Sequence, residues 1–582
     1  MKRYTPLALL LLLALFLAGC DAETAPATDT PAVTTDVADV EPTPDSELAE
    51  PPSPTATLEP TPESDPLFTG SDGFPWWNDA VFYEIFVRSF YDSDGDGVGD
   101  LNGVIEKLDY LNDGDPTTDD DLGVTGIWLM PIMESPSYHG YDVVDYYQID
   151  EEYGTNEDFK RLVEEAHARG IRVIVDLVMN HTSVEHPWFE ESADPDPELR
   201  NWYVWSNENP GYRGPWGQQV WHREGDDYYY AVFWEGMPDL NYNNSDVTEA
   251  MFDITSFWLS DMDADGFRLD AIKHLIEDGE QQENTAATHE WLQDFHTFYK
   301  GVDPEAFAVG EAWTATREVV NYTGDEVDIA FEFDLAIAIL NAARNRAARP
   351  IARAQDLVER SYPPNQYATF ITNHDQDRVM SQLRGDEGKA RLAASILLTS
   401  PGVPFVYYGE EIGTTGTKPD EDIRRPMQWA SDGIGVGFTT GTPWRAPADD
   451  YEERSVALQE DDPDSLLNHY RNLIHLRNEH EALRIGEWTQ VDTNSSNVYA
   501  FLRHTGDETI LVVINLDSEA IDDYSLTLEE GPLVGSIQAV LLLGEAEPTT
   551  PAVNADGGFS GYQPFPTLPA QSTILIQLVP GT

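Results

Sequence analysis

The fold is decided by residues 155–178, which read TNEDFKRLVEEAHARGIRVIVDLV. The segment opens with apolar residues at helical spacing, and these are Phe159, Leu162, Val163 and Ala166. The spacing predicts a helix from Asn156 to Arg169 with one buried face. Thr155 and Asp158 occupy the two positions of a capping box, and Gly170 is a residue that commonly ends a helix.

The second half of this segment, Ile171–Val178, is a β-branched apolar run that is typical of a buried parallel strand. The same helix–strand pattern recurs, with a helix over Ser245–Met262 and then a strand at Phe267–Asp270. Six further apolar strands are predicted at Val81–Phe90, Gly126–Ile132, Phe307–Val309, Ile329–Phe333, Ala368–Ile371 and Pro404–Tyr408. Eight strands alternating with helices predict an α/β fold, a (β/α)8 TIM barrel.

Two regions depart from this pattern. Residues 182–242 lose the periodicity and are rich in Trp, Tyr, Gly and Pro, so they predict a subdomain inserted after the third strand. Short alternating strands follow Leu483, and they predict a separate antiparallel β-sandwich domain over 487–582. The barrel itself is then expected to span 76–181 and 243–484.

Composition excludes several classes of protein. The 582 residues include 33 Lys and Arg against 106 Asp and Glu, a formal net charge of −73, which argues against nucleic acid as a partner. The single Cys excludes a disulfide framework and any site built from several cysteines. So acidic a surface is typical either of adaptation to high salt or of an acidic secreted protein, and we expect the former.

The N-terminus predicts export. Lys2 and Arg3 precede an apolar run over Leu7–Leu17, and Leu17-Ala-Gly-Cys20 resembles a lipoprotein cleavage site, so we expect a signal peptide over 1–20 and lipidation of Cys20. An uncleaved anchor and a plain signal peptide are the alternatives. Residues 21–70 hold ten Pro, ten Thr and twelve acids with no Lys or Arg, which predicts a disordered tether. After cleavage we expect a monomer on the extracellular face of a bacterial membrane, attached to it only through the lipid. Secretion without an anchor is the alternative location.

Polar residues cluster where the predicted strands end. Three are carboxylates, Asp270, Glu311 and Asp375, and the others are Asp176, Asn180, His181, Arg268, His374 and Arg378. The chemistry of a barrel takes place at the carboxyl ends of its strands. Converging carboxylates suit glycosidic cleavage, in which one attacks the anomeric carbon and another, protonated, donates to the leaving oxygen.

Arg268 lies two residues before Asp270 and therefore on the same face of the strand. A guanidinium there would keep a nucleophilic carboxylate ionised. Glu311 would need its pKa raised by burial and by neighbouring negative charge to act as the acid.

From about residue 76 to 582 the chain resembles the α-amylase family of glycoside hydrolases. The resemblance is carried by Asp176-Leu-Val-Met-Asn-His181, Gly266-Phe-Arg-Leu-Asp-Ala-Ile-Lys-His274, Val309-Gly-Glu-Ala-Trp313 and Phe370-Ile-Thr-Asn-His-Asp375. It implies that Asp270 is the nucleophile, Glu311 the general acid/base and Asp375 a stabiliser of the transition state. It also implies an α-glucan substrate, and sugar contacts from Arg268, His181 and His374. We place Arg378 in the same substrate-binding group.

Two further stretches bear on substrate. In Tyr138-His-Gly-Tyr-Asp142 the face of Tyr141 could stack on a sugar ring, and Asp142 could accept hydroxyl groups. The resemblance places Lys273 and His274 on the leaving-group side, as in endo-acting amylases, whereas Met237-Pro-Asp-Leu-Asn241 resembles a group intermediate between oligo-1,6-glucosidases and neopullulanases. We therefore expect endo-hydrolysis of α-1,4 bonds in starch with retention. The alternatives are an α-glucosidase, a cyclomaltodextrinase, a trehalose-forming transglycosidase, or a catalytically silent sugar-binding protein, although this chain keeps all three carboxylates.

An acidic loop follows the first predicted strand. Residues 92–100, DSDGDGVGD, present oxygens at every second position, which suits Ca²⁺, but the loop is not a complete EF-hand because Gly103 stands where Glu is required. The resemblance implies a structural Ca²⁺ whose ligands are Asp92, Asp94, Asp96, the Val98 carbonyl and Asp100. A solvated acidic turn is the alternative. Asn180 matches a second calcium position of the family, without identifiable further ligands.

Overall fold

The computed structural model describes residues 70–194 and 198–581. The predicted signal peptide, the lipidation site Cys20 and residues 21–69 of the predicted tether lie outside the described residues. Among the described helices, none is both long enough and apolar enough to cross a bilayer.

Eight parallel strands form the predicted barrel. In chain order they are β1 Phe82–Ile85, β2 Gly126–Leu129, β3 Arg172–Leu177, β4 Gly266–Leu269, β5 Phe307–Gly310, β6 Ile329–Ala330, β7 Ala368–Thr369 and β8 Val403–Tyr407. Each of β1 to β5 pairs with the strand that follows it, while β8 pairs with both β7 and β1. A parallel bridge between Phe331 and Ala368 joins the ends of β6 and β7 and closes the ring. The predicted (β/α)8 fold is confirmed.

Helices surround the barrel. The longer ones are Asn156–His167, Ser245–Ser256, Ala286–Val302, Phe333–Asn345, Ala348–Ser361, Glu387–Thr399 and Leu466–Glu479. Shorter helices occur at Val87–Phe90, Leu101–Glu106, Leu108–Leu111, Pro187–Ser192, Thr316–Val319, Val379–Gln382, Asp420–Ile423, Val456–Gln459 and Glu481–Arg484. The predicted capping box is present, because Thr155 accepts from the Asp158 amide and Asp158 accepts from the Thr155 amide.

The first predicted strand, Val81–Phe90, was too long. The strand ends at Ile85, opposite Leu129 at the end of β2, and Val87–Phe90 form a helical turn. This turn stays apolar because it is covered from above, with the Phe90 ring 5.3 Å from that of Trp429. The turn is as buried as the strand before it, so both are apolar. The hydrophobic pattern of the sequence therefore does not show where the strand ends.

Aromatic side chains fill the lower end of the barrel. The ring of Phe82 stacks on Phe405 at 4.6 Å and on Phe307 at 5.3 Å, and Trp76 and Trp77 pack beneath them. These rings close the lower end of the barrel with apolar packing, whereas Asp270 and Glu311 follow the carboxyl ends of the strands above. Truncating one of these rings to Ala would cost about 3–5 kcal/mol in stability.

The remaining strands lie outside the barrel. The insertion carries the antiparallel strands Trp205–Ser206, Trp221–Glu224 and Asp227–Tyr230, and a hairpin pairs Met133–Glu134 with Asp145–Ile149. The C-terminal domain holds a five-stranded antiparallel sheet of Glu487–Gln490, Val498–His504, Thr509–Asn515, Ser572–Pro580 and Ile537–Leu543. A three-stranded sheet of Asp492–Thr493, Leu526–Glu530 and Gly557–Tyr562 packs on it through a shared apolar core. The predicted antiparallel β domain is confirmed.

Candidate active site

Three carboxylates meet at the carboxyl end of the barrel. Asp270 follows β4, Glu311 follows β5 and Asp375 lies in the loop after β7. Both Asp270 and Glu311 contact one guanidinium: Arg268 Nη1 lies 2.7 Å from Asp270 Oδ1, and Nη2 lies 2.9 Å from Glu311 Oε2. The barrel therefore brings together carboxylates that are distant in the sequence.

Arg268 is fully buried and also bonds to Asp176 of β3, with Nη1 2.9 Å from Oδ1. The register of the sheet explains this contact, because Asp176 and Arg268 are direct partners on β3 and β4. Tyr141 donates from its hydroxyl to Asp176 Oδ2 at 3.0 Å, which fixes that carboxylate further. Asp176, Asp270 and Glu311 thus surround the single positive charge of Arg268. Because three negative charges would outnumber one positive charge, this arrangement favours the protonated, neutral form of one of the acids.

Burial raises the pKa of Asp176 to about 7, as it does for Glu311, but Glu311 lines the cleft and Asp176 does not, so Glu311 is the acid placed to give a proton to a substrate. Burial raises the pKa of Glu311 to about 7, and the negative charges of Asp270 and Asp375 act in the same direction. Burial also raises the pKa of Asp270 above its ordinary value, but the positive charge of Arg268 opposes that rise. After Asp270 the chain turns through the left-handed conformation of Ala271, φ 50°, whose amide donates to Glu311 Oε2 at 3.3 Å.

Asp375 is ionised by its surroundings. Burial alone would raise its pKa, but the positive charges of His374 and Arg424 outweigh burial and hold the pKa below the usual range. Arg424 Nη2 lies 2.8 Å from Asp375 Oδ1, and Arg424 Nε donates to the His374 carbonyl at 3.0 Å. Burial lowers the pKa of His374, so its imidazole is neutral at neutral pH. The permanent positive charge of Arg424 is then what keeps the pKa of Asp375 low.

His374 is held between two further side chains. Its Nδ1 lies 2.5 Å from Glu84 Oε1 and its Nε2 lies 2.7 Å from the hydroxyl of Tyr141. Glu84 belongs to β1, and its contact was missed at the sequence level, although a lone acid inside an apolar strand is a signal that could have pointed to it. Arg424 was missed as well, since no periodicity marks the long loop after β8.

A continuous cleft runs over the carboxylates. One lobe, of about 430 Å³, is lined by Trp216, Phe233, Ala271, Lys273, His274, Glu311 and Trp313 besides Asp270 and Asp375. The other lobe, of about 240 Å³, is lined by His139, Tyr141, His181, Met237, Asp420 and Arg424 together with Phe233, Asp270 and Asp375. The two lobes share Phe233, Asp270 and Asp375, so these two carboxylates lie where the lobes meet, and Glu311 lies in the larger lobe.

Lys273 shapes the larger lobe. Its Nζ lies 2.7 Å from Glu283 Oε2 and donates to the Trp313 carbonyl at 3.0 Å, so the side chain is tied down beside the cleft. Burial lowers the pKa of His274 to about 4, which keeps its imidazole neutral. Trp216 and Trp313 line this lobe and are 60% and 46% exposed, so each presents a large ring that is not packed inside the protein.

The structure does not bring every predicted site residue to the cleft. Arg378 is buried, and its guanidinium donates to the carbonyls of Ile423 and Tyr408, so it holds the loop after β8. The Asp142 carboxylate faces the hydroxyls of Ser135 and Ser137 and lines neither lobe. By contrast, Tyr141 and His181 do line the smaller lobe, where His181 Nε2 lies 3.1 Å from the Tyr141 carbonyl.

The acidic loop after β1 brings three carboxylates together. Ligand oxygens of Asp92, Asp94 and Asp100 all lie within 4.8 Å of one another, a spacing that one Ca²⁺ with bonds of about 2.3–2.6 Å could span. Asp96 is outside this group, and its Oδ1 accepts from the Val98 amide at 2.8 Å. The donor set, all hard oxygen, fits calcium.

A second group of oxygens lies between β3 and the insertion. Asn180 Oδ1 and Asp239 Oδ2 are buried, and neither has a hydrogen-bond partner within the described part of the chain. Burial raises the pKa of Asp239 well above its ordinary value. Sequence reasoning singled out Asn180 here but did not find Asp239.

The fold and the site define a class of enzyme. A barrel that presents an arginine-bound Asp, a Glu of raised pKa and an ionised Asp along one cleft has the groups that glycoside hydrolysis requires. Residues 84–486 match the protein family described as "Alpha amylase, catalytic domain", and residues 488–578 match "Alpha amylase, C-terminal all-beta domain". The chain belongs to the α-amylase family of glycoside hydrolases.

Individual relatives have different names. "Alpha-amylase 3" of Dictyoglomus thermophilum is 41% identical over 450 residues, covering 76% of this chain and 86% of the relative. "Trehalose synthase/amylase TreS" of Mycobacterium tuberculosis is 36% identical over 508 residues, covering 76% of this chain and 82% of that protein. The crystal structure of an α-amylase from H. orenii superposes with a TM-score of 0.75 at 42% identity and covers 86% of this chain and 99% of that structure.

Proposed function

We propose that the protein is an α-amylase that hydrolyses internal α-1,4 bonds of starch and malto-oligosaccharides with retention of configuration. The observation that carries the proposal is the position of Asp270 and Asp375, which line both lobes of one cleft, with Glu311 beside them in the larger lobe. A chain of glucose units can then continue on both sides of the bond that breaks. The similarity to the amylase of D. thermophilum supports the same activity.

The side chains divide the chemistry between them. Protonated Glu311 donates its proton to the glycosidic oxygen while ionised Asp270 attacks the anomeric carbon, so the leaving sugar departs with a hydroxyl and the remaining sugar is esterified to Asp270. Glu311, now a carboxylate, takes a proton from water, and the resulting hydroxide attacks the same carbon and releases Asp270. Two inversions give net retention. Asp375, held ionised by Arg424, binds sugar hydroxyls and stabilises the positive charge that develops.

The larger lobe receives the leaving part of the chain. Trp216 and Trp313 offer ring faces to glucosyl units, and Lys273 fixes the loop that carries Trp313. The experiment is a time course of products from maltoheptaoside blocked at its non-reducing end. Endo-action predicts early release of several shorter blocked and free oligosaccharides, whereas a resistant blocked substrate would overturn it.

A second candidate is transglycosylation that converts maltose to trehalose, which the similarity to the protein named trehalose synthase/amylase favours. Incubation with maltose separates the two. Trehalose as the main product would establish this candidate, and glucose alone would exclude it. Nuclear magnetic resonance of the first products of either reaction reports whether the α-configuration is retained.

We propose that the acidic loop holds a structural Ca²⁺ on Asp92, Asp94 and Asp100, with the Val98 carbonyl and Asp96 as further ligands. The close approach of the first three carboxylates supports it. Bound there, Ca²⁺ would neutralise repulsion between acids and stiffen the loop; none of the chemical steps above passes through it.

A second Ca²⁺ on Asn180 and Asp239 would satisfy two buried oxygens that have no other partner in the described residues. Calorimetric titration of the chelated protein should then give two bound ions per chain.

We also propose that the protein works outside the cell as a lipid-anchored monomer adapted to salt. The basic, apolar and Cys-terminated start of the sequence supports export, and the net charge of −73 supports salt adaptation. Labelling of cells with a clickable fatty acid should mark the wild type and not a Cys20→Ser variant. Activity and melting temperature should rise between low and molar NaCl, and values that stay flat would count against salt adaptation.

A further inference from the structure

A second cavity, of about 360 Å³, lies between the barrel and the C-terminal domain. One wall is the start of the helix Ala348–Ser361, and the other is formed by residues 490–500. It shares no lining residue with the catalytic cleft. Its volume lies within the range of about 300–1,000 Å³ that small-molecule sites occupy.

The two walls are bonded to each other. The Ala348 amide donates to the Ser496 carbonyl at 3.0 Å, and Asn497 Nδ2 donates to the Arg346 carbonyl at 2.8 Å. Asn494 Oδ1 accepts from the Ser525 amide at 2.7 Å, which fixes the loop to its own domain. The backbone of both walls is therefore fixed before a ligand binds, and a ligand would have to order only the exposed side chains.

Three exposed polar side chains line this cavity. Arg349, Gln490 and Asp492 are exposed, and in the described residues none of their side chains makes a hydrogen bond or an ion pair. Arg349 and Asp492 have opposite charges and line one cavity, yet they do not pair with each other. The cavity lining thus offers a donor in Arg349, an acceptor in Asp492, and an amide in Gln490 that can do both.

This combination selects a neutral polyhydroxylated ligand. Neighbouring hydroxyls of a sugar accept from a guanidinium and donate to a carboxylate, and both residues can act at once. An anionic ligand would meet repulsion from Asp492, and a cationic one from Arg349. The alanine side chains of Ala348 and Ala352 supply an apolar patch against which a ring could lie.

We propose that this cavity is a secondary binding site for an α-glucan, which holds the polymer to the enzyme apart from the catalytic cleft. The choice of α-glucan among neutral saccharides rests on the proposed function. No exposed aromatic platform lines the cavity among the described residues, so hydrogen bonds provide most of the recognition. Such a site would act on long or insoluble chains and leave short substrates unaffected.

The test compares two double variants of the full chain. Arg349→Gln with Asp492→Asn removes both charges from the cavity; Arg353→Gln with Asp507→Asn removes two exposed charges outside it and is the matched control. Binding to insoluble starch granules is measured by sedimentation with the catalytic cleft blocked by acarbose. We expect the bound fraction to fall at least threefold in the cavity variant and to stay unchanged in the control.

Kinetics provide the second measurement. The cavity variant should show a KM for granular starch raised severalfold, with kcat/KM on blocked maltoheptaoside unchanged, which also reports an intact fold. Equal granule binding by wild type, cavity variant and control would overturn the proposal. Failure of the proposed function would instead appear as a wild type that does not hydrolyse blocked maltoheptaoside, whatever the granules show.

Discussion

Arg268→Met should reveal how far one cation supports the whole site. The side chain is fully buried and contacts Asp176, Asp270 and Glu311 at 2.7–2.9 Å. Met replaces most of its volume but leaves the buried Asp176 and Asp270 and the largely buried Glu311 without this counter-charge. Removal of one partner from a buried ion pair costs about 3–5 kcal/mol, because the remaining charge is uncompensated. We expect a loss of this size at neutral pH.

The loss should depend on pH. Without Arg268 the folded-state pKa values of these acids rise further, so the folded variant binds protons more tightly than the unfolded chain. Stability then falls as pH increases from the unfolded value near 4 through the raised folded values. Thermal unfolding of variant and wild type at pH 5 and pH 8 measures the difference, with kcat/KM on blocked maltoheptaoside beside it. A variant that melts with the wild type at both pH values, or keeps a tenth of its activity, would refute the reasoning.

Three further predictions follow from the site. With the pKa of Glu311 at about 7, the carboxyl is protonated below that value, so kcat/KM should fall about tenfold per unit as pH rises above it, and a Glu311→Gln variant should lack this limb of the profile. Chelation with EDTA should lower the melting temperature more than it lowers the initial rate at 25 °C; an unchanged melting curve would exclude a structural metal in the acidic loop. Lys273→Ala should free the loop of Trp313 and shift the lengths of the products, and an identical product pattern would argue against its role beside the leaving group.

The sequence predicts the elements that local pattern determines. The helix Asn156–His167 and its cap lie in one short segment, and all eight barrel strands are apolar runs between polar turns. Asp270, Glu311 and Asp375 could be placed because strand ends of a barrel converge. The end of β1 could not, because Val87–Phe90 are buried by a loop more than 300 residues away.

The sequence does not show in which direction a loop side chain points, and this is why some predicted site residues do not reach the cleft. Arg378 and Asp142 are close in sequence to residues of the site, but both side chains are bound elsewhere. Arg378 donates to two backbone carbonyls, and Asp142 accepts from two serine hydroxyls, so neither lines the cleft. Three other residues reach the site from separate parts of the fold: Arg424 from the long loop after β8, Glu84 from β1, and Trp216 from the insertion. Only the three-dimensional arrangement brings these residues to the same cleft, so no spacing rule could have identified them.

The central claim is that Asp270 forms a bond to the sugar while Glu311 moves the proton. The most direct measurement is to treat the enzyme with a fluorinated α-glucosyl fluoride, whose second step is slow, and to identify the labelled peptide by mass spectrometry. We expect one sugar per chain, attached to Asp270 and absent from an Asp270→Asn variant. A label on another carboxylate, or turnover by Asp270→Asn close to the wild-type rate, would contradict it.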